Sequence, residues 1–93
     1  KLVQAAGNQE YVALAQATLA EIYAAQGDVA AAEEMYSTAL ALFDQVGHRA
    51  GRLRAQVSYA RFLAKQGEVE RAAALEREAR EGAEQIGLRL FEI

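Results

Sequence analysis

The 93-residue chain offers few side chains able to do chemistry. His48 is its one histidine, and cysteine is absent. A general base needs a nucleophile or an orienting carboxylate set beside it by the fold. Nothing near His48 in sequence suggests such a partner, and its place between two helical runs reads as a solvated residue at a helix start. Ser37, Ser58, Thr18 and Thr38 fall inside helical runs, with no nucleophile-elbow or triad pattern around them. The glycines recur at a forty-residue interval, Gly27 with Gly67 and Gly7 with Gly47 and Gly87. They punctuate helices and do not gather into a phosphate-cradling loop. No His or Cys cluster has metal-ligand spacing. Glu33 and Glu34 are adjacent, so on a helix they point about 100 degrees apart and form no carboxylate pair. The expectation is a chain with no catalytic residue, no metal and no cofactor.

Charge is the more informative chemistry. From His48 to Gln66 the chain carries Arg49, Arg52, Arg54, Arg61 and Lys65 and no acid. The run before it has Asp28, Glu33, Glu34 and Asp44 and no base, and the run after it sets six glutamates against three arginines. Two readings stand. Oppositely charged stripes facing each other would hold neighbouring helices in register, each exposed pair contributing at most about 1 kcal/mol. Alternatively, Arg54, Arg61 and Lys65, spaced by seven and four residues and hence on one helical face, would present a basic strip to an extended or helical acidic peptide. Tyr23, Tyr36 and Tyr59 at helical spacing read as core rather than as a platform for stacked bases. The net charge of −3 agrees, because phosphate binding favours a basic excess.

The elements that carry these residues are helices. Hydrophobic residues make up 53% of the chain and proline is absent. Alanine, the best helix former, dominates the apolar set. With no apolar run near the roughly 20 residues that span a bilayer and no signal-peptide pattern, the expectation is a soluble, cytoplasmic protein with no membrane contact. Apolar residues recur at three and four over Gln9–Gln26 (Val12, Ala15, Leu19, Ile22, Tyr23), with Asn8 as cap. The period continues over Val29–Val46 through Ala32, Met35, Tyr36, Ala39, Leu40 and Phe43. It returns over His48–Gln66 through Leu53, Val57, Ala60, Phe62 and Leu63, and after Gly67 through Val69, Ala72, Leu75, Ala79, Ala83 and Ile86. Residues 1–7 read as the end of a preceding helix closed by Gly7, and residues 88–93 as the start of a further one.

Leu19–Ala32 returns as Tyr59–Ala72, with Ala20, Ala24, Gln26, Gly27, Val29 and Ala32 matched by Ala60, Ala64, Gln66, Gly67, Val69 and Ala72. The chain therefore reads as two helical hairpins, residues 8–47 and 48–87, written on a forty-residue period. A stacked solenoid has such a period, and a closed four-helix bundle is the alternative. The copies resemble tetratricopeptide repeats. Leu19, Ala20, Tyr23, Gly27, Ala32, Tyr36, Ala39 and Leu40 fit that pattern in the first copy. Tyr59, Ala60, Leu63, Gly67, Ala72 and Ala79 fit it in the second. Gln16 and Gln56 stand where the family usually has tryptophan, Asp44 and Glu84 where it has its closing proline. Glu76 and Arg80 replace Tyr36 and Leu40. The long period resembles the arrays of large bacterial regulators and signalling ATPases.

The resemblance implies an all-α, right-handed α-solenoid of antiparallel hairpins. It also implies a noncatalytic scaffold for protein–protein interaction within a larger regulatory or signalling protein. The first helix of each pair would line a concave groove, with Leu14, Ala17, Glu21 and Ala24 from one copy and Arg54, Val57, Arg61 and Lys65 from the other. The family's clamp for a C-terminal carboxylate needs groove asparagines, and Glu21 and Arg61 hold those places, so that ligand is not expected. Two other roles stay open: a structural self-assembly module, and an accessory region of an enzyme whose catalytic domain lies elsewhere. Leu2, Val3, Leu88, Leu90, Phe91 and Ile93 at the ends lead to an expectation of homo-oligomerisation through the terminal faces.

Overall fold

An alanine-rich, proline-free chain favours helices, interrupted where glycines turn it. In a computed structural model, which describes residues 5–87 and side-chain surroundings from residue 8, the chain forms four α-helices. These are α1 (Ala5–Gln26), α2 (Val29–Val46), α3 (Arg49–Lys65) and α4 (Val69–Ile86). No strand occurs among the described residues, and the all-α repeat architecture expected from the sequence is the one adopted. The expectations placed on residues 1–4 and 88–93 lie outside the described residues.

One boundary differs from expectation. Gly7 does not end a helix; α1 starts at Ala5 and runs through it. An interior glycine costs a helix about 1 kcal/mol relative to alanine. Ala5 and Ala6 on one side and a long helical run on the other outweigh that.

The helix ends repeat with the sequence. Gly27 and Gly67 take φ of +83° and +87°, angles at which a side chain would be strained. Each sits in the same hydrogen-bonded cap. Gly27 N–H donates to Ala24 O at 3.1 Å and Asp28 N–H to Tyr23 O at 2.9 Å; Gly67 N–H donates to Ala64 O and Glu68 N–H to Leu63 O at the same two distances. This pair of bonds satisfies carbonyls that a helix end leaves open. Asp28 then caps α2, its Oδ1 accepting from Ala31 N–H at 3.3 Å. Glu68 has nearly the same backbone angles but makes no side-chain cap bond.

The chain divides into two compact units, Lys1–Arg52 and Leu53–Ile93. In the first, α1 packs on α2. Ala13, Ala20, Ala32 and Ala39 are fully buried, with Tyr36 and Phe43 the largest buried side chains. Alanine at these positions lets two helix backbones approach closely. The first turn of α3 belongs to this unit. Its capping residue is His48, whose Nδ1 accepts from Gly51 N–H at 2.9 Å and whose ring lies 5.6 Å from that of Phe43. The second unit holds the rest of α3 and α4, and Leu53, Val57, Ala79 and Ala83 form its apolar cluster.

The inward face of α1 is only in part the expected one. Val12, Leu19 and Ile22 are 45%, 40% and 45% exposed, and Ala15 is exposed too. Ala20, which the repeat pattern places opposite Ala32 at the close approach of the two helices, is buried as expected, and the smaller Ala13 joins it in the core. A close hairpin has room for methyl groups and not for branched chains, so the larger residues turn outward. Forty residues on, the counterparts Ala55, Tyr59 and Phe62 are buried.

Candidate functional site

The basic helix has a narrow solvent face. Of the α3 residues only Arg49, Arg54, Arg61, Ala64 and Lys65 are exposed. Most of the remainder is buried: Leu53, Ala55, Gln56, Val57, Tyr59, Ala60, Phe62 and Leu63. The helix can carry five cations and no acid because its inward residues supply the packing. Steps of seven and four residues put Arg54, Arg61 and Lys65 within an arc of roughly 40 degrees, spread over roughly 16 Å of helix axis.

Ion pairing separates the neighbouring cations from this strip. Arg52 Nε lies 2.7 Å from Asp44 Oδ1, an ion pair within the first unit that ties the start of α3 to the end of α2. Arg71 Nη2 donates to Tyr59 Oη at 3.0 Å, with its guanidinium 6.0 Å from the centre of that ring. Arg80 pairs with Glu76 one turn away on α4 at 3.6 Å. Arg54, Arg61 and Lys65 have no ion-pair partner among the described residues. The facing-stripes reading thus describes Arg52, and the strip is left to solvent.

Val57, expected on the same face as the strip, is buried. It is 7% exposed and packed with Leu53, Ala79 and Ala83. It lies about 60 degrees from Arg54 around the helix, enough to cross from surface to core. In the first unit Leu14 and Glu21 are exposed and Ala17 and Ala24 half-buried, all on one side of α1.

Two polar residues have structural work that their sequence position did not reveal. Gln56 is fully buried, and its Nε2 donates to Glu78 Oε1 on α4 at 2.9 Å. Its occurrence at a place where the repeat pattern has a large core side chain was the available signal. His48 caps a helix, which gives the lone histidine at the turn a structural role. Tyr36 and Tyr59 are 2% and 6% exposed, so neither face is open to a stacked base. Among the described residues no three His, Cys, Asp or Glu side chains cluster as a metal site, and no helix is long and apolar enough to cross a membrane. A depression at the α3–α4 turn, lined by Gly67, Glu68, Val69, Glu70 and Arg71, brings together no nucleophile and base.

Comparison with curated proteins and with solved structures returned no match. The tetratricopeptide repeat family model matches residues 11–85. Repeats of this kind generally mediate protein–protein interaction and are generally non-catalytic. The match spans well over half of the chain and takes in nearly all of both hairpins, so this chain belongs to the tetratricopeptide repeat family.

Proposed function

We propose that the chain is a noncatalytic interaction module of a larger regulatory or signalling protein, and that the α3 strip is where an acidic segment of a partner protein docks. One observation carries this reading: Arg54, Arg61 and Lys65 are exposed on one face and lack ion-pair partners among the described residues, while Arg52 and Arg80 are paired with acids. Three like charges within about 16 Å repel one another, and an acidic ligand relieves that repulsion. The family resemblance, which puts the first helix of each pair on the groove side, supports the same surface. Leu14, Ala17 and Glu21 hold the corresponding places on α1 and offer no cation, so the strip on α3 is the specific element.

The test is fluorescence anisotropy with a labelled glutamate-rich peptide and the 93-residue chain. Binding should weaken steeply as salt rises towards about 1 M, where screening acts over about 3 Å. It should be lost in Arg54→Glu with Arg61→Glu, with helicity by circular dichroism unchanged. Undiminished binding by the double variant would exclude the strip as the site.

A second reading is self-association, favoured by the apolar stripe of Tyr11, Val12, Leu19 and Ile22 on α1, where Tyr11 is 74% exposed. Contiguous exposed apolar surface of this kind promotes association. Sedimentation velocity decides it: a dimer that Leu19→Gln with Ile22→Gln returns to monomer supports this reading, and a wild-type monomer at high concentration removes it.

A further inference from the structure

We infer that the segment docking on the α3 strip is itself a helix, with acidic residues four and seven residues apart, and that this spacing rather than total charge selects it. The inference rests on the reading of α3 as a docking surface for an acidic segment. Arg54, Arg61 and Lys65 lie at axial steps of roughly 10.5 Å and 6 Å, within one narrow arc. A ligand that meets all three must show three acids on one side at those same steps.

Only a helix does so. On a helix, intervals of four and seven residues reproduce 6 Å and 10.5 Å and return each side chain to within roughly 40 degrees of the first. An extended strand rises about 3.3 Å per residue, so the same steps fall near two and three residues. Alternation then puts the third acid on the opposite side. A polyproline-type segment at about 3.1 Å per residue has the complementary fault, since three residues complete a turn and two do not. Either extended form engages two of the three cations.

The surroundings admit a helix. Ala50 and Ser58 are half-buried and Ala64 is exposed, and all three flank the cations on the same side of α3. These short side chains leave the strip low between its charged tips, so a second helix can lie along it. A partner running antiparallel to α3 carries its acids in the order four then seven; a parallel one carries seven then four. In both cases the middle acid meets Arg61.

The test uses four alanine-rich peptides of one length and composition, each with three glutamates. Two are matched, with glutamate at i, i+4, i+11 or at i, i+7, i+11. The third moves the middle glutamate to i+6, which keeps charge and helicity but turns that acid to the far side. The fourth keeps the i, i+4, i+11 pattern with one interior D-alanine to break the helix. One matched peptide should bind the chain about two- to fivefold tighter than the i+6 peptide, and the D-alanine peptide should lose that advantage. Arg61→Gln should level all four, with Arg54 and Lys65 retaining the residual attraction. Equal binding of all four by the wild-type chain would overturn the helical register while leaving α3 as an acidic-segment surface. Failure of every peptide to bind would overturn that surface itself. A single-stranded oligonucleotide binding tighter than any peptide would overturn both, in favour of polyanion recognition.

Discussion

Replacing Gly51 by alanine sets two physical effects against each other. Gly51 lies in the first turn of α3, where alanine is favoured over glycine by about 1 kcal/mol on helix propensity alone. Judged from the sequence, the substitution should stabilise. The structure reverses the sign. A Cβ built on Gly51 would lie 2.5 Å from Phe43 Cε1, 2.8 Å from Phe43 Cδ1 and 2.8 Å from His48 Nδ1, all well inside van der Waals contact. The Phe43 ring is 1% exposed and cannot swing into solvent. The His48 nitrogen is the acceptor that caps the helix, so moving it forfeits that bond. Overpacking costs about 1–3 kcal/mol, and a lost cap about 0.5–2 kcal/mol. Against a gain of about 1 kcal/mol, the net is a loss of roughly 0.5–4 kcal/mol. For a domain of this size that lowers Tm by about 2–30 °C. Thermal melts followed by circular dichroism read it directly. Gly51→Ala should lower the melting temperature in the wild-type background, and lower it by less in a Phe43→Leu background, where the ring edge is gone but the His48 contact remains, a difference that a double-mutant cycle isolates. Stabilisation by Gly51→Ala in both backgrounds would refute the close approach of α2 to the start of α3.

The other stability predictions test the hairpins. Ala20→Leu or Ala60→Leu, each placing a branched chain at a buried alanine, should cost about 1–3 kcal/mol; unchanged denaturation midpoints would show that the hairpin packing is misassigned. Glu68→Asp should stabilise by about 0.5–1 kcal/mol by giving α4 the side-chain cap that Asp28 gives α2, and a neutral or negative change would count against the equivalence of the two turns. Glu78→Ala should destabilise by about 1 kcal/mol although Glu78 is exposed, because buried Gln56 loses the hydrogen bond from its Nε2 to Glu78. An effect within about 0.5 kcal/mol, the usual range for a surface position, would show that the buried amide is satisfied without it.

The hairpins were legible because their turns rest on the residue that most readily takes a left-handed conformation. A positive φ selects glycine, and Gly27 and Gly67 fall forty residues apart with matching alanines on either side. The face of α1 was legible at Ala20, through the repeat pattern, but not at Val12, Leu19 and Ile22. That helix is apolar almost all round, and periodicity then marks the larger side chains, whereas a close helix pair selects the smaller ones. Gly7 misled for a related reason: glycine marks a helix end only where the chain turns, and α1 continues past it. The strip was legible in its charges but not in its depth. A rotation of about 60 degrees from Arg54 carries Val57 into the core, and spacing alone does not say where the surface ends. Arg52, two residues before Arg54, is drawn to Asp44 through a packing between α2 and the first turn of α3 that the charge pattern allowed but did not require. Gln56 gave the weakest signal, because a buried amide becomes intelligible only when its partner, twenty-two residues away, is seen beside it.

The most direct measurement of the central claim is a backbone amide NMR titration of the chain with the matched acidic peptides. The account predicts that perturbed resonances cluster on α3 around Arg54, Ser58, Arg61, Ala64 and Lys65, with Leu53 and the buried side of α4 at Ala79 and Ala83 little changed. Perturbations concentrated instead on Tyr11, Val12, Leu19 and Ile22 of α1, or spread evenly over the acidic helices, would contradict it.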